Sequence, residues 1–82
     1  MKRKRTPVSA IIVKRLDTPG GNTVEEVIRN IVGILSDIRY AGDIKQLAER
    51  YGLHYLKSKR MRVRELQKWV VDNHPAVRGF HA

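Results

Sequence analysis

Between residues 57 and 68 the chain sets Lys57, Lys59, Arg60, Arg62, Arg64 and Lys68 against a single acid, Glu65. Clustered cations of this kind do one piece of chemistry well: they neutralise phosphates and release the counterions condensed on a nucleic acid. Read as a helix, Lys57, Arg60, Arg64 and Lys68 recur at spacings of three and four and make one basic stripe. Leu56, Val63, Leu66 and Val70 then form an adjacent stripe facing inward. Read as a strand, Arg60, Arg62 and Arg64 point one way and Met61 and Val63 the other, as in a basic wing. Helix is expected from Val63 onward, while 57–62 fits both periods. Neutralising about five phosphates gives a log–log salt slope near roughly −4.5.

A second basic block lies at the start of the chain, where Lys2, Arg3, Lys4 and Arg5 precede Lys14 and Arg15. Residues 1–15 carry a net charge of +6, residues 16–53 carry −2 and residues 54–68 carry +5, within a total of +9 and a pI near 10.5. Two basic blocks around a nearly neutral middle suit a scaffold that presents separate phosphate-contacting elements. The expected contact residues are Lys2, Arg3, Lys4, Arg5, Lys57, Lys59, Arg60, Arg62, Arg64 and Lys68 for phosphate, with His54, Tyr55, Ser58 and Arg62 as candidates for base edges.

Other chemistry finds little support. His54, His74 and His81 have neither metal-ligand spacing nor an acidic ligand set, and the absence of cysteine removes thiolate sites and disulfides. Ser9, Ser36 and Ser58 have no recognisable base, and the acids offer no convincing pair. Gly20-Gly21 lacks the following Gly-Lys-Ser/Thr of a phosphate-cradling loop. The chain is read as a non-enzyme with no cofactor and no metal. With no apolar run near the roughly 18 residues of a bilayer span, the expectation is a soluble, cytoplasmic, nucleoid-associated protein.

The elements that must position these residues are short. MKRKRTP (1–7) reads as a disordered basic arm, and the β-branched VSAIIVKRL (8–16) as a strand ended by the turn cluster DTPGGN. Thr23-x-x-Glu26 fits a capping box, and Val24, Val27, Ile28, Ile31, Leu35 and Ile38 follow helical spacing behind it. Val32 and Ile34 widen that stripe, so the helix is central or dimeric. Asp43 reads as the N-cap of the next helix, with Ile44, Leu47, Ala48 and Tyr51 as its inner face and Gly52 as its stop. A last helix through Leu66, Trp69 and Val70 ends at Pro75, and 76–82 reads as a flexible tail from which Val77 or Phe80 folds back. Trp69 is assigned to the core rather than to base stacking.

IKQLAERYGL (44–53) resembles the first half of a helix-turn-helix DNA-binding motif: Leu47, Ala48, Gly52 and Leu53 occupy the apolar, small, turn-glycine and apolar places. Ser58 stands where that family carries an inward Val or Ile, and Met61 suits the inward place three residues later. KRMRVRELQKWV is also similar to the basic wing and closing helix of phage excisionases. The resemblance implies a mainly α fold, a small helix-turn-helix-like domain over 8–75 with one N-terminal strand and a wing as an open alternative. It implies a dimeric DNA-binding protein, a transcriptional regulator or recombination accessory factor of phage or mobile-element type, with double-stranded DNA as partner. A ribbon-helix-helix variant pairs the strand 8–16 across the dimer and sends Ser9 or Lys14 into the major groove. The rival reading is a protein-interaction module docking on RNA polymerase or another nucleoprotein machine; RNA binding is a third, weakened by the low aromatic content of 6%.

Overall fold

Thr23 opens the central helix in the way its residue type and spacing require. Its hydroxyl accepts the Glu26 amide N–H at 3.2 Å, while the Glu26 carboxylate accepts the Asn22 N–H at 2.8 Å. Two amides at the helix entrance are thereby satisfied. In the computed structural model, which describes residues 9–80, this is the second of six helices. They are α1 (Ala10–Asp17), α2 (Val24–Ser36), α3 (Ala41–Arg50), α4 (Tyr55–Ser58), α5 (Val63–Asn73) and α6 (Pro75–Phe80). The basic arm and its Lys2, Arg3, Lys4 and Arg5 lie outside the described residues.

α2 buries Val27, Ile31, Ile34 and Leu35 and packs on α1, α5 and α6, which places it centrally, one of the two readings that its broad apolar stripe leaves open. α5 lies across both α2 and α3 and sends Leu66 and Val70 into the same core. Each such aliphatic side chain contributes about 1.5–3 kcal/mol by leaving water. Val32, the other residue that widens the α2 stripe, is 47% exposed.

Where a strand over 8–16 is expected, Ala10–Asp17 form a helix. Ser9 caps α1, its hydroxyl accepting the Ile11 N–H at 3.2 Å. Ile12, Val13 and Leu16 turn inward at helical spacing while Ile11 is 73% exposed. Packing of that stripe on α2 outweighs the β preference of its branched residues. Among the described residues there is no strand, so neither a ribbon nor a wing forms there. α3 begins at Ala41 rather than at an Asp43 cap, which puts the Asp43 carboxylate inside the first turn, where the helix dipole favours it. The expected tail also changes: residues 75–80 form α6, and Val77 is buried in the core, although Phe80 is 49% exposed.

A polar knot holds the helix ends together. Asp17, closing α1, accepts from Arg50 Nη2 at 2.6 Å and Nε at 3.3 Å, and from the Tyr51 hydroxyl at 2.6 Å. Behind it the His74 ring is buried 4.9 Å from the Tyr51 ring. Its Nδ1 accepts the Ala76 N–H at 3.0 Å. An amide can only donate, so the ring proton sits on Nε2, which donates to the Leu16 carbonyl at 2.6 Å. Burial and the bond to Asp17 push the Tyr51 phenol above its ordinary value.

The Arg50 hydrogen bond, followed by that of Tyr51, holds the Asp17 carboxyl below its ordinary value of 3.8. A depressed folded value means that the carboxylate's contribution is complete above about pH 5 and is lost as pH falls through the folded value. Asp17→Asn is therefore less stable than the parent in urea at neutral pH, and the two unfolding midpoints converge below pH 3.8. A gap that stays constant into acid would show that the Asp17 charge does not stabilise the fold.

Gly33 sits inside α2 without a packing reason: no atom lies within 4 Å of a Cβ added there, and its φ is not in the left-handed region. Replacing it with alanine is expected to stabilise the fold by up to about 1 kcal/mol from helix propensity. That corresponds to a rise in Tm of about 4–8 °C for a domain of this size, read by thermal melting.

Candidate nucleic-acid interface

α3 and α4 meet at Gly52, whose φ of 110° suits glycine far better than any residue with a Cβ. The Gly52 N–H donates to the Glu49 carbonyl and the Leu53 N–H to the Ala48 carbonyl, both at 3.0 Å, closing the end of α3. Leu47, Ala48 and Leu53 are all buried, so the three inward places read from the sequence face the core. α4, the helix after this turn, is a single turn long. His54 caps it through Nδ1, which accepts the Leu56 N–H at 3.2 Å.

Ser58 is 1% exposed, which corrects its candidacy for base contact. It fills the inward place, donating to the Tyr55 carbonyl at 2.8 Å with the Glu49 carboxylate 3.3 Å away. His54 and Tyr55 remain exposed and stacked on each other, their centroids 5.0 Å apart at 24°. Lys59 Nζ lies 5.6 Å from the Tyr55 centroid, a cation over the ring face. Lys59 and Tyr55 also line a shallow cleft with Lys45 and Glu49 of α3.

The one acid in the basic run decides between helix and strand. Glu65 accepts the Arg62 N–H at 3.1 Å and Arg62 is extended, so α5 starts afresh at Val63. Lys57 therefore belongs to α4, Arg60 to the connecting turn, and Arg64 and Lys68 to α5. The continuous helical stripe from Lys57 to Lys68 is broken at 61–62, and Leu56 and Val63, expected inward, are 54% and 41% exposed. Leu66, Val70 and the partly buried Trp69 keep their expected places in or against the core.

Arg64 and Lys68 border an apolar groove between α5 and α2, about 320 Å³ in volume, lined by Val32, Leu35, Gln67 and Val71. The six cations at 57–68 are exposed, and none makes an ion pair with a described residue; among the described residues the ion pair is Arg50–Asp17. Lys14 and Arg15, with Arg29, line another cleft between α1 and α2. On α2, Arg29, Asn30, Gly33 and Ile34 line that cleft, with Asp37 just past the helix end, whereas Val32 and Leu35 line the α5 groove. At about 100° per residue these sets occupy opposite sides of the helix. Lys14 and Arg15 of the first block and Arg64 and Lys68 of the second thus line different clefts. This second cationic surface is hidden in the sequence because Arg29 lies in a stretch of net negative charge.

Among the described residues no group of histidines and acids could hold a metal ion, and no helix is long and apolar enough to cross a membrane. Compared with known proteins, the chain matches no family model, no curated protein and no solved structure.

Proposed function

We propose that the protein binds double-stranded DNA through phosphate contacts from the α4–α5 segment, acting as a small regulator of transcription or an accessory factor in recombination. The observation that carries this reading is the set of six exposed cations without ion-pair partners among the described residues: Lys57, Lys59, Arg60, Arg62, Arg64 and Lys68. Cations left unpaired on a folded surface keep their full charge for an incoming phosphate, and releasing counterions from that phosphate drives association. The His54–Tyr55 stack with Lys59 above it adds an exposed aromatic surface beside them. His54, Tyr55 and Arg62 are the residues proposed to approach base edges.

A mobility shift of duplex DNA against RNA of the same length, titrated with salt, tests the reading. Duplex binding with a slope near roughly −4.5 is expected. Arg60→Ala combined with Arg64→Ala flattens that slope by about 2 and leaves Tm unchanged, because both side chains are exposed and make no ion pair with a described residue. Absence of duplex binding at about 100 mM salt would sink the proposal, because several phosphate contacts still hold there. The protein-interaction reading would then lead, favoured by the apolar floor of the α2–α5 groove at Val32, Leu35 and Val71.

A further inference from the structure

The cleft between α1 and α2, of about 810 Å³, is bordered by Lys14, Arg15 and Arg29, with Asp37 as its acid. All three cations are exposed and none makes an ion pair with a described residue. The cleft's walls are tied together. The Asn30 amide donates to the Pro19 and Gly20 carbonyls at 3.1 Å each, holding the α1–α2 loop against α2, and the Thr18 hydroxyl donates to the Lys14 carbonyl at 2.8 Å. Gly33 lines the same cleft, and the space where its Cβ would project is open. A glycine that weakens its own helix and relieves no internal crowding keeps the α2 backbone approachable from this side.

We propose that this cleft is a second phosphate-backbone site, so that one molecule bridges two segments of duplex DNA. The proposal rests on the DNA-binding reading above. Its geometric basis is that the cleft, lined on α2 by Arg29, Asn30, Gly33 and Ile34, is centred on the far side of that helix from the groove bordered by Arg64 and Lys68. Duplex DNA is stiff over about 150 base pairs and does not fold around a body whose shorter extents are 25 and 17 Å. Cations on opposite sides therefore reach different segments. An open cleft with exposed cations at its border suits a backbone passing across it, whereas sites for small ligands enclose most of the ligand in largely apolar walls.

The experiment is capture of a labelled free duplex by an immobilised duplex in the presence of the full chain, alongside single-duplex mobility shifts. The parent protein captures the second duplex. Arg15→Ala with Arg29→Ala, and separately Gly33→Gln, which projects a side chain into the cleft without changing charge, each reduce capture at least tenfold. Both variants keep single-duplex affinity within about threefold, the remaining α4–α5 contacts being untouched. Single-duplex binding with no capture by the parent protein overturns the bridge and leaves the first site standing. Capture unchanged in both variants also overturns it, and a light-scattering mass of two chains would then assign bridging to a dimer. Binding of inorganic pyrophosphate in the cleft, lost in Gly33→Gln while capture persists, would make this a small-ligand site and end the proposal. If the parent binds no single duplex, the first reading fails and takes this one with it.

Discussion

Truncation of His74 to alanine is expected to lower the unfolding free energy by about 3 kcal/mol, from two lost hydrogen bonds and the space the ring vacates. The ring is 1% exposed and connects parts of the chain that are 58 residues apart, donating to the Leu16 carbonyl at the end of α1 while accepting from Ala76 in α6. Deleting it leaves a carbonyl and an amide without their partner and opens space beside Tyr51, whose ring lies 4.9 Å away. In a domain this small that loss is a large share of the whole stability. His74→Asn separates the two roles. Its amide oxygen falls near the position of Nδ1 and still accepts the Ala76 N–H, but its short side chain does not reach Leu16. Urea unfolding should place His74→Asn between the parent and His74→Ala. Equal stability of the parent and His74→Ala would show that the knot holds nothing together.

That knot also marks where reading the chain linearly stops working. Helix α2 is legible because its signals are local: Thr23, Glu26 and the apolar residues behind them lie within a few turns of one another. The same holds for Leu47, Ala48, Gly52 and Leu53, whose spacing fixes which side chains face inward and where the chain must turn. His74, Leu16, Asp17, Arg50 and Tyr51 meet only because three helices are already packed, and no spacing in the sequence announces it. α1 is legible in part. Its branched residues favour a strand, but Ser9 in front of Ile12, Val13 and Leu16 is also a cap ahead of a helical stripe. Which pattern prevails depends on whether α2 offers a surface for that stripe, which is a tertiary fact.

The basic run shows the same boundary at the candidate site. Its composition locates the cations, but their alignment depends on how Glu65 is used. As a side chain on a continuous helix it would be one more surface acid. As the acceptor for the Arg62 N–H it restarts the helix, so Arg64 and Lys68 no longer continue one helical stripe with Lys57 and Arg60. A charge count carries no information about that choice. Ser58 is misassigned for a related reason: a polar residue is expected outside, but one turn of helix between two chain reversals can satisfy its hydroxyl on the Tyr55 carbonyl.

Neutralising Lys57, Arg60, Arg64 and Lys68 together to alanine is expected to weaken duplex binding by about 10³- to 10⁴-fold at roughly 0.1 M salt. Four lost phosphate contacts remove about 3.6 from the log–log slope, and one decade of salt below the 1 M reference converts that into between three and four decades of affinity. The slope should fall from roughly −4.5 to about −1. All four side chains are exposed and without ion-pair partners among the described residues, so the thermal transition should not fall. Relieving repulsion in a chain of net charge +9 could only raise it. The control is an equal reduction in charge elsewhere: Arg39 and Arg78 are exposed on other parts of the fold and make no ion pair with a described residue. Their double replacement should change the slope by much less than the Arg60/Arg64 pair does. If the two pairs weaken binding equally, the protein responds to DNA through its total charge and the α4–α5 segment is no site at all. If only the Arg60/Arg64 pair matters, the location of the charge and not its total governs the contact.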